Sequence, residues 1–286
     1  MKHVYHLKTL TPIFSYGADP HKAADRRNNI PVHEGTPEIR AASIRGQLRW
    51  WMEFIGHRDQ IAPIFGSTAG SEGRSSLLKI RVSNIEGRIG EKRCTEQHNW
   101  STKTCFLPGT SFDLEVLETR QGLSEDQRNS LKNTLNAWLN MGTLGGRGTR
   151  AAGSITFSDS SQTEEAWMTS CATLLSKAEG RLFLGRTGYQ SESEARRLVC
   201  DTLKEDAFNG QQPLGGIRPR KTSPLRMRVV RFSDGNPSRP YRIAALWTQS
   251  NEEPLQGAIE ILKRGNGRNG DPKQIGFELE NAIRVK

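Results

Sequence analysis

No run in this chain approaches the roughly 18 apolar residues of a membrane-spanning helix. The N-terminus, MKHVYHLKTLTP, lacks the apolar block and small-residue cleavage site of a secretory signal, so the chain reads as cytoplasmic. Cysteine is scarce: Cys94, Cys105, Cys171 and Cys200 include no CxxC pair. In a reducing compartment these remain thiols. Cys94, His98 and Cys105 fit no standard zinc spacing, so neither metal nor cofactor is expected. Aromatic residues are 7% and hydrophobic residues 34% of the 286, a lean but adequate supply for one large domain or two ordinary ones. Acids are also short, 31 Asp and Glu against 41 Lys and Arg, leaving a formal charge of +10. A surplus of that size points to a polyanion, most simply nucleic acid, with solubility alone as the plainer explanation.

What is present has the periodicities of an α+β protein. His3 to Leu10 reads as a strand, followed by a turn-rich stretch from Thr11 to Ala42. The next stretch, EIRAASIRGQLRWWMEFIG, opens a helix with Ser43 as its expected N-cap and Ile44, Leu48, Trp51 and Ile55 at helical spacing. At about 100° per residue those four share one face. Arg45 and Arg49 flank it, while Gly46 and Trp50 fall on the opposite surface. Leu78 to Ser83 and Phe112 to Val116 alternate as half-buried strands. Ser124 and Gln127 form a capping box for a helix bearing Leu131, Leu135, Trp138 and Leu139, and Ile155 and Phe157 make a short strand. Strand, helix, strand, strand, helix, strand is the ferredoxin-like arrangement, closing near residue 160. Residues 161–286 read as a second, less regular α+β unit. Capping boxes at Ser161/Glu164 and Ser191/Glu194 open two of its helices. Leu225 to Phe232 and Tyr241 to Thr248 are strand-like, a helix carries Leu255, Ile259 and Leu262, and Phe277 to Leu279 is a further strand candidate. Its strand order does not follow from the sequence.

Three segments carry chemistry. MGTLGGRGTRAAGS, Met141 to Ser154, packs five glycines into twelve residues: Gly142, Gly145, Gly146, Gly148 and Gly153. Glycine adopts positive φ without penalty, so successive N–H groups can line an anion-binding concavity, and Arg147 and Arg150 add charge. No Gly-Lys-Ser/Thr follows, which excludes a Walker loop; a floppy connector is the bland alternative. From Ile217 to Arg242 there are eight basic residues and one acid, Asp234. Arg218, Arg220 and Lys221 precede Pro224 in an expected extended loop. Arg226 and Arg228 alternate on one strand face, either solvated or in contact with RNA. In the first helix, Arg49 and Glu53 can form an ion pair worth about 0.3–0.5 kcal/mol. That pair does not explain Gly46, because glycine inside a helix costs about 0.5–1 kcal/mol relative to alanine. Close approach by another backbone does. Trp50 is placed to stack on a base, dock a protein neighbour or simply pack at the periphery.

PEIRAASIRGQLRWW, IFGS at Ile64 to Ser67, GGRGTRAAGS and TSPLRMRV at Thr222 to Val229 together resemble the RAMP superfamily of CRISPR-associated proteins. Within it they are most similar to the family of the first-numbered subunit of the type III-B Cmr effector complex. The resemblance implies two ferredoxin-like, RRM-like modules, 1–160 and 161–286, without enzymatic activity or cofactor. It also implies guide RNA (its 3′ part), single-stranded target RNA and other RAMP subunits of a Cmr-type antiviral ribonucleoprotein as partners. Carried over residue by residue, RNA contact falls on Arg40, Arg45, Arg49, Gly145, Gly146, Arg147 and Arg150, with Gly46, Trp50 and Gly148 beside them. Arg218, Arg220 and Lys221 are a weaker transfer.

Two other classes remain open from the sequence. A RAMP endoribonuclease would draw on His3, His6, His21 or His33, or on Asp19 or Asp25. An interaction protein would use its charge only for assembly.

Overall fold

A computed structural model describes residues 2–16, 36–68, 73–93, 102–159, 162–202, 216–217, 220–251, 253–256 and 283–285. The first half contains strand β1 (Lys2–Thr9), helix α1 (Ala41–Phe54), the short α2 (Ile61–Phe65), β2 (Leu78–Glu86), β3 (Ile89–Arg93), β4 (Thr102–Phe106), β5 (Ser111–Glu118), α3 (Glu125–Met141) and β6 (Ile155–Phe157). Four of these strands form a sheet in the order β2-β5-β1-β6, every neighbouring pair antiparallel. That is the ferredoxin-like order expected from the sequence, with one addition. The β3–β4 pair makes a separate two-stranded sheet inserted between β2 and β5. Its β3, IGEKR, alternates exposed and half-buried residues, and so lacks the apolar face that would have marked it as a strand.

The second half runs α4 (Glu164–Leu174), β7 (Arg181–Leu184), α5 (Glu192–Thr202), β8 (Gly216–Ile217), β9 (Arg220–Lys221), β10 (Leu225–Arg231), β11 (Tyr241–Trp247) and β12 (Ile283–Arg284), with residues 253–256 helical. Its main sheet is ordered β10-β11-β7-β12, again antiparallel throughout. By position in its own unit that is second, third, first, fourth, the same permutation as the first sheet. The strand order the sequence withheld is therefore a second ferredoxin-like one. The expected strand at Phe277 to Leu279, and Ile259 and Leu262 of the expected helix, lie outside the described residues.

Caps differ in detail. Helix α1 begins at Ala41 with Arg40 at the cap position and no side-chain capping bond, not at Ser43. The capping box of Ser124 and Gln127 on α3 forms as expected, with both reciprocal bonds present. In α4 the cap is Thr163, whose hydroxyl accepts from the Ala166 N–H, while the Glu164 N–H goes to the Asp234 carboxylate at 3.0 Å. Ser191 caps α5, accepting from the Glu194 N–H at 3.1 Å.

The core does not divide at residue 160. One cluster joins Leu7, Leu114 and Ile155 of the first sheet, Leu48 and Trp51 of α1, Leu135 and Trp138 of α3, Trp167 of α4, and Leu182, Val230 and Leu246 of the second sheet. A second cluster lies on that sheet's other face, where Met227, Val229 and Ile243 meet Ala195 and Val199 of α5. Arginines on β10 fasten the halves. Arg228 is buried and donates to the carbonyls of Leu139 at 2.9 Å and Ile155 at 2.6 Å. Arg226 lies over the Trp50 ring, 3.8 Å from its centroid. The expectation of a solvated or RNA-contacting face for these two is corrected: alternation does pair them on one face, but that face looks into the first half.

Glu118 at the end of β5 clasps the start of α3. Its carboxylate takes two hydrogen bonds from Arg128, both 3.1 Å, and one from the Leu123 N–H at 3.2 Å. The Arg128 bond, first among the causes, holds its pKa below the ordinary glutamate value. Because the folded-state pKa is depressed, the stability the clasp contributes is whole above the unfolded value of roughly 4.3. It is lost as pH falls through the lower folded value. Glu118→Gln flattens the acid limb of a stability–pH curve below that range and leaves its neutral slope unchanged. Arg228→Ala strips donors from two buried carbonyls at about 1–3 kcal/mol each, lowering unfolding free energy by roughly 2–6 kcal/mol in urea titrations. Arg228→Met restores volume but no donor, and recovers only part of the loss.

Candidate nucleic-acid interface

Residues 13–16 gather three separated parts of the chain. Ile13 exchanges backbone hydrogen bonds with Phe106 of β4, at 3.0 and 3.2 Å. The Phe14 carbonyl accepts from the Gly146 N–H at 2.7 Å, and the Ser15 carbonyl from the Glu38 N–H at 2.9 Å. Tyr16 bridges Pro37 and donates its hydroxyl to the Thr104 carbonyl at 2.6 Å. The inserted hairpin, the Gly-rich loop and the entrance to α1 thus converge on one short extended segment.

Most glycines of the loop serve this closure. Gly145 has φ +84, and a Cβ there would stand 2.7 Å from the Phe14 carbonyl oxygen. Gly153, at φ +70, lies so close to the Leu144 carbonyl that any side chain would collide, and a Cβ on Gly148 would strike the Thr143 hydroxyl. The loop is pinched shut by Leu144 N–H to Gly153 O at 2.8 Å and Gly153 N–H to Pro12 O at 2.8 Å. It is neither a floppy connector nor, at these three positions, main chain held open for a ligand. Arg147 and Ala151 both adopt left-handed backbone, φ 61 and 56. Gly146 and Arg147 remain exposed at the tip, and the Arg147 carbonyl accepts from the Arg150 N–H at 2.8 Å. Lys103 of β4 lies within electrostatic reach: burial first, and then the Arg147 charge, lower its pKa. Its ammonium stands 6.0 Å from the Tyr16 ring centroid. Sequence reasoning singled out neither residue, because the hairpin bearing Lys103 carries no periodic signal and Tyr16 falls in the turn-rich stretch after β1.

On α1, the arginines turn inward. Arg45 donates to the Ser76 hydroxyl and, at 3.2 Å, to the Leu78 carbonyl, while Arg49 donates to the Gly66 carbonyl at 3.0 Å. They hold the 64–78 connection against the helix. The expected Arg49–Glu53 ion pair is replaced by Glu53 with Arg58 at 3.4 Å. Trp50 is half-buried, not presented outward: Phe54 stacks on it at 5.0 Å and Arg226 covers it. Gly46 differs, being exposed with nothing within 4 Å of the position a Cβ would take. Arg40, half-buried, stands at the uncapped start of the helix, whose first turn holds no acid.

Arg220 and Lys221 pair with Ile217 and Gly216 in the β8–β9 hairpin, where an extended loop was expected; Arg218 lies outside the described residues. His21, His33, Asp19, Asp25, Cys94 and His98 lie outside them as well. His6 meets Asp113 at 2.6 Å, and the Asn84 amide donates to the same carboxyl at 2.7 Å. The Asn84 bond, followed by His6, holds the Asp113 pKa down. Strand alternation sends His3 to the opposite face of β1 from His6. Burial pushes the thiols of Cys105 and Cys171 up to about 11 and about 12, too high for a nucleophile at neutral pH. Among the described residues no helix is long and apolar enough to cross a membrane.

Two antiparallel sheets of one shared permutation, with a Gly-rich loop closing the first, define a tandem ferredoxin-like protein. The family model of the RAMP superfamily matches residues 6–156, and the chain belongs to that superfamily. No curated protein matches the sequence. Among solved structures, Cmr1 from Pyrococcus furiosus in its apo form shares the fold at TM-score 0.53 and 16% identity, over 88% of this chain and 89% of that one. A chain of the Type III-B Cmr-beta complex bound to cognate target RNA and AMPPnP matches at TM-score 0.51 and 10% identity, over 91% and 98%.

The contrast among the glycines gives opposite stability effects. Gly46→Ala meets open space and relieves a helix-interior glycine, raising unfolding free energy by up to about 0.5–1 kcal/mol. Gly153→Ala combines a left-handed backbone with a collision, and lowers the thermal midpoint sharply. Differential scanning calorimetry on both variants reads the two signs directly.

Proposed function

We propose that this chain is a non-catalytic RNA-binding subunit of a type III-B CRISPR ribonucleoprotein of the Cmr kind, contacting the 3′ part of the guide RNA and the target RNA in antiviral defence. The observation that carries the reading is the convergence on residues 13–16. Around it stand an exposed left-handed arginine, a basic hairpin and an uncapped helix entrance, which this reading takes together as the face toward RNA. Superfamily membership and a net charge of +10 support it. Guided systems bind RNA mainly through its backbone and leave sequence reading to base pairing, so such a subunit needs phosphate partners and close approach.

Within this reading the direct contacts are Arg40, Gly46, Gly146, Arg147 and Arg150. Gly46 is the clearest, since its missing side chain serves no packing need inside the protein. Arg45 and Arg49 act mainly by fixing α1 against its connection. The division near residue 160 is one of topology, each half carrying one ferredoxin-like sheet. Of the histidines weighed for cleavage, the two among the described residues, His3 and His6, point to opposite sides of one strand and do not share reach of a single phosphate as a general acid–base pair must.

A salt titration of guide-length RNA binding tests the proposal. Arg40→Ala with Arg147→Ala makes the dependence of log K on log salt shallower by about two units, roughly one per lost phosphate contact. Exposed Lys132 on α3, changed to Ala, leaves it as in the wild type. An unchanged slope in the double variant, with loss of co-purifying subunits, would establish a purely architectural role instead.

A further inference from the structure

A second basic surface lies where the two sheets face each other across β6. The open cleft there has a volume of about 580 Å³, within the roughly 300–1,000 Å³ of ordinary ligand sites. One wall comes from the edge of the first sheet, with Lys8 of β1 and its register partner Thr156 of β6, followed by Phe157. The other comes from the end of the β10–β11 pair, with Arg231 opposite Tyr241 in the register and Ser233 just beyond.

The lining carries two cationic side chains, one from each sheet, and no Asp or Glu among the described residues. Neither Lys8 nor Arg231 meets a carboxylate among those residues; the nearby Asp234 is engaged with the Glu164 N–H. Arg231 is exposed, its guanidinium 5.9 Å from the Tyr241 ring centroid. Elsewhere in this chain arginines close to the second sheet are committed: Arg228 to two carbonyls, Arg226 to Trp50, and Arg242 to Glu164 at 2.7 Å. Cations without acids, half-buried rings and hydroxyls around a space of this size fit a phosphate, a base and a ribose respectively.

We propose that this inter-sheet cleft seats one nucleotide of single-stranded RNA, with Lys8 and Arg231 on its phosphate and Tyr241 or Phe157 against its base. The ligand class rests on the RNA-binding reading above; the site itself does not involve the Gly-rich loop. From Lys8 the chain runs to residues 13–16, where the Phe14 carbonyl holds the Gly146 N–H next to Arg147.

The test uses the full chain, a uridine decamer carrying one 4-thiouridine, and uridine monophosphate. In wild type, photo-crosslinks fall on Tyr241 or Phe157. Lys8→Ala with Arg231→Ala removes them and makes the decamer's salt slope shallower by about two units, with the thermal midpoint unchanged. Arg40→Ala with Arg147→Ala weakens the decamer but retains the crosslinks. Tyr241→Phe keeps them where they fall on the ring. Wild-type affinity and crosslinks in Lys8→Ala/Arg231→Ala would overturn the cleft while leaving the Arg147 surface standing. If wild type ignores the decamer but takes the monophosphate by saturation-transfer NMR, and loses it in the Lys8/Arg231 variant, the RNA reading falls and the cleft survives as a mononucleotide site. If it takes neither, both fall.

Discussion

The joint between the two halves of this molecule depends on a guanidinium that meets no carboxylate among the described residues. Arg228 sits in the core between the halves, and burial lowers its pKa to about 10, which still leaves it charged at neutral pH. Taking a cation out of water is expensive unless its N–H groups are used. Two are, on the carbonyls at the end of α3 and in β6, while its Nε has no partner. The Leu139 carbonyl belongs to the last turn of α3, where the helix dipole is negative, so the charge is set against the favourable end. A neutral residue of equal volume would fill the space and leave both carbonyls unmet. The positive charge is retained because the backbone around it needs donors.

The same economy recurs at other arginines. Arg45 and Arg49 bind the connection after α1, Arg226 covers Trp50, Arg196 reaches the Arg93 carbonyl at 2.9 Å, and Arg242 joins Glu164 and Gly185. Many of the arginines are thus structural, most of these serving carbonyls or rings rather than carboxylates. Hydrogen bonds to carbonyls leave these charges in place, and the exposed cations are spread over the surface as well, Lys79, Arg81, Lys132 and Arg197 among them. Of these, the cations near residues 13–16 and along the inter-sheet cleft are the ones proposed to meet RNA.

This explains what could and could not be read from the sequence. The first sheet was legible because its strands have one dry face and its second helix a complete capping box; alternation and 3.6-residue spacing both record burial. The second sheet's order was not: LRMRV in β10 alternates apolar and basic residues, yet its seemingly wet face, Arg226 and Arg228, looks into the first half, and no local pattern records which strands pair. The β3–β4 hairpin escaped because few of its residues are buried. At the interface the residue types were right but their direction was hidden. An arginine flanking an apolar stripe looks the same in sequence whether it turns to solvent or back to Ser76. Glycine is equally mute: Gly46 and Gly153 are one letter, yet one opens onto empty space and the other avoids a collision.

The segment at residues 13–16 is anchored almost wholly by main-chain bonds, to Phe106, Gly146 and Glu38. Amide and carbonyl groups are common to nearly every residue, so these bonds constrain little of the sequence; Gly145 and the buried Ile13 and Phe14 side chains constrain the rest. Sequence drift outside those positions can proceed without dismantling the arrangement of hairpin, loop and helix. A scaffold built this way keeps its shape while its amino acids diverge, as the shared fold at 16% identity illustrates.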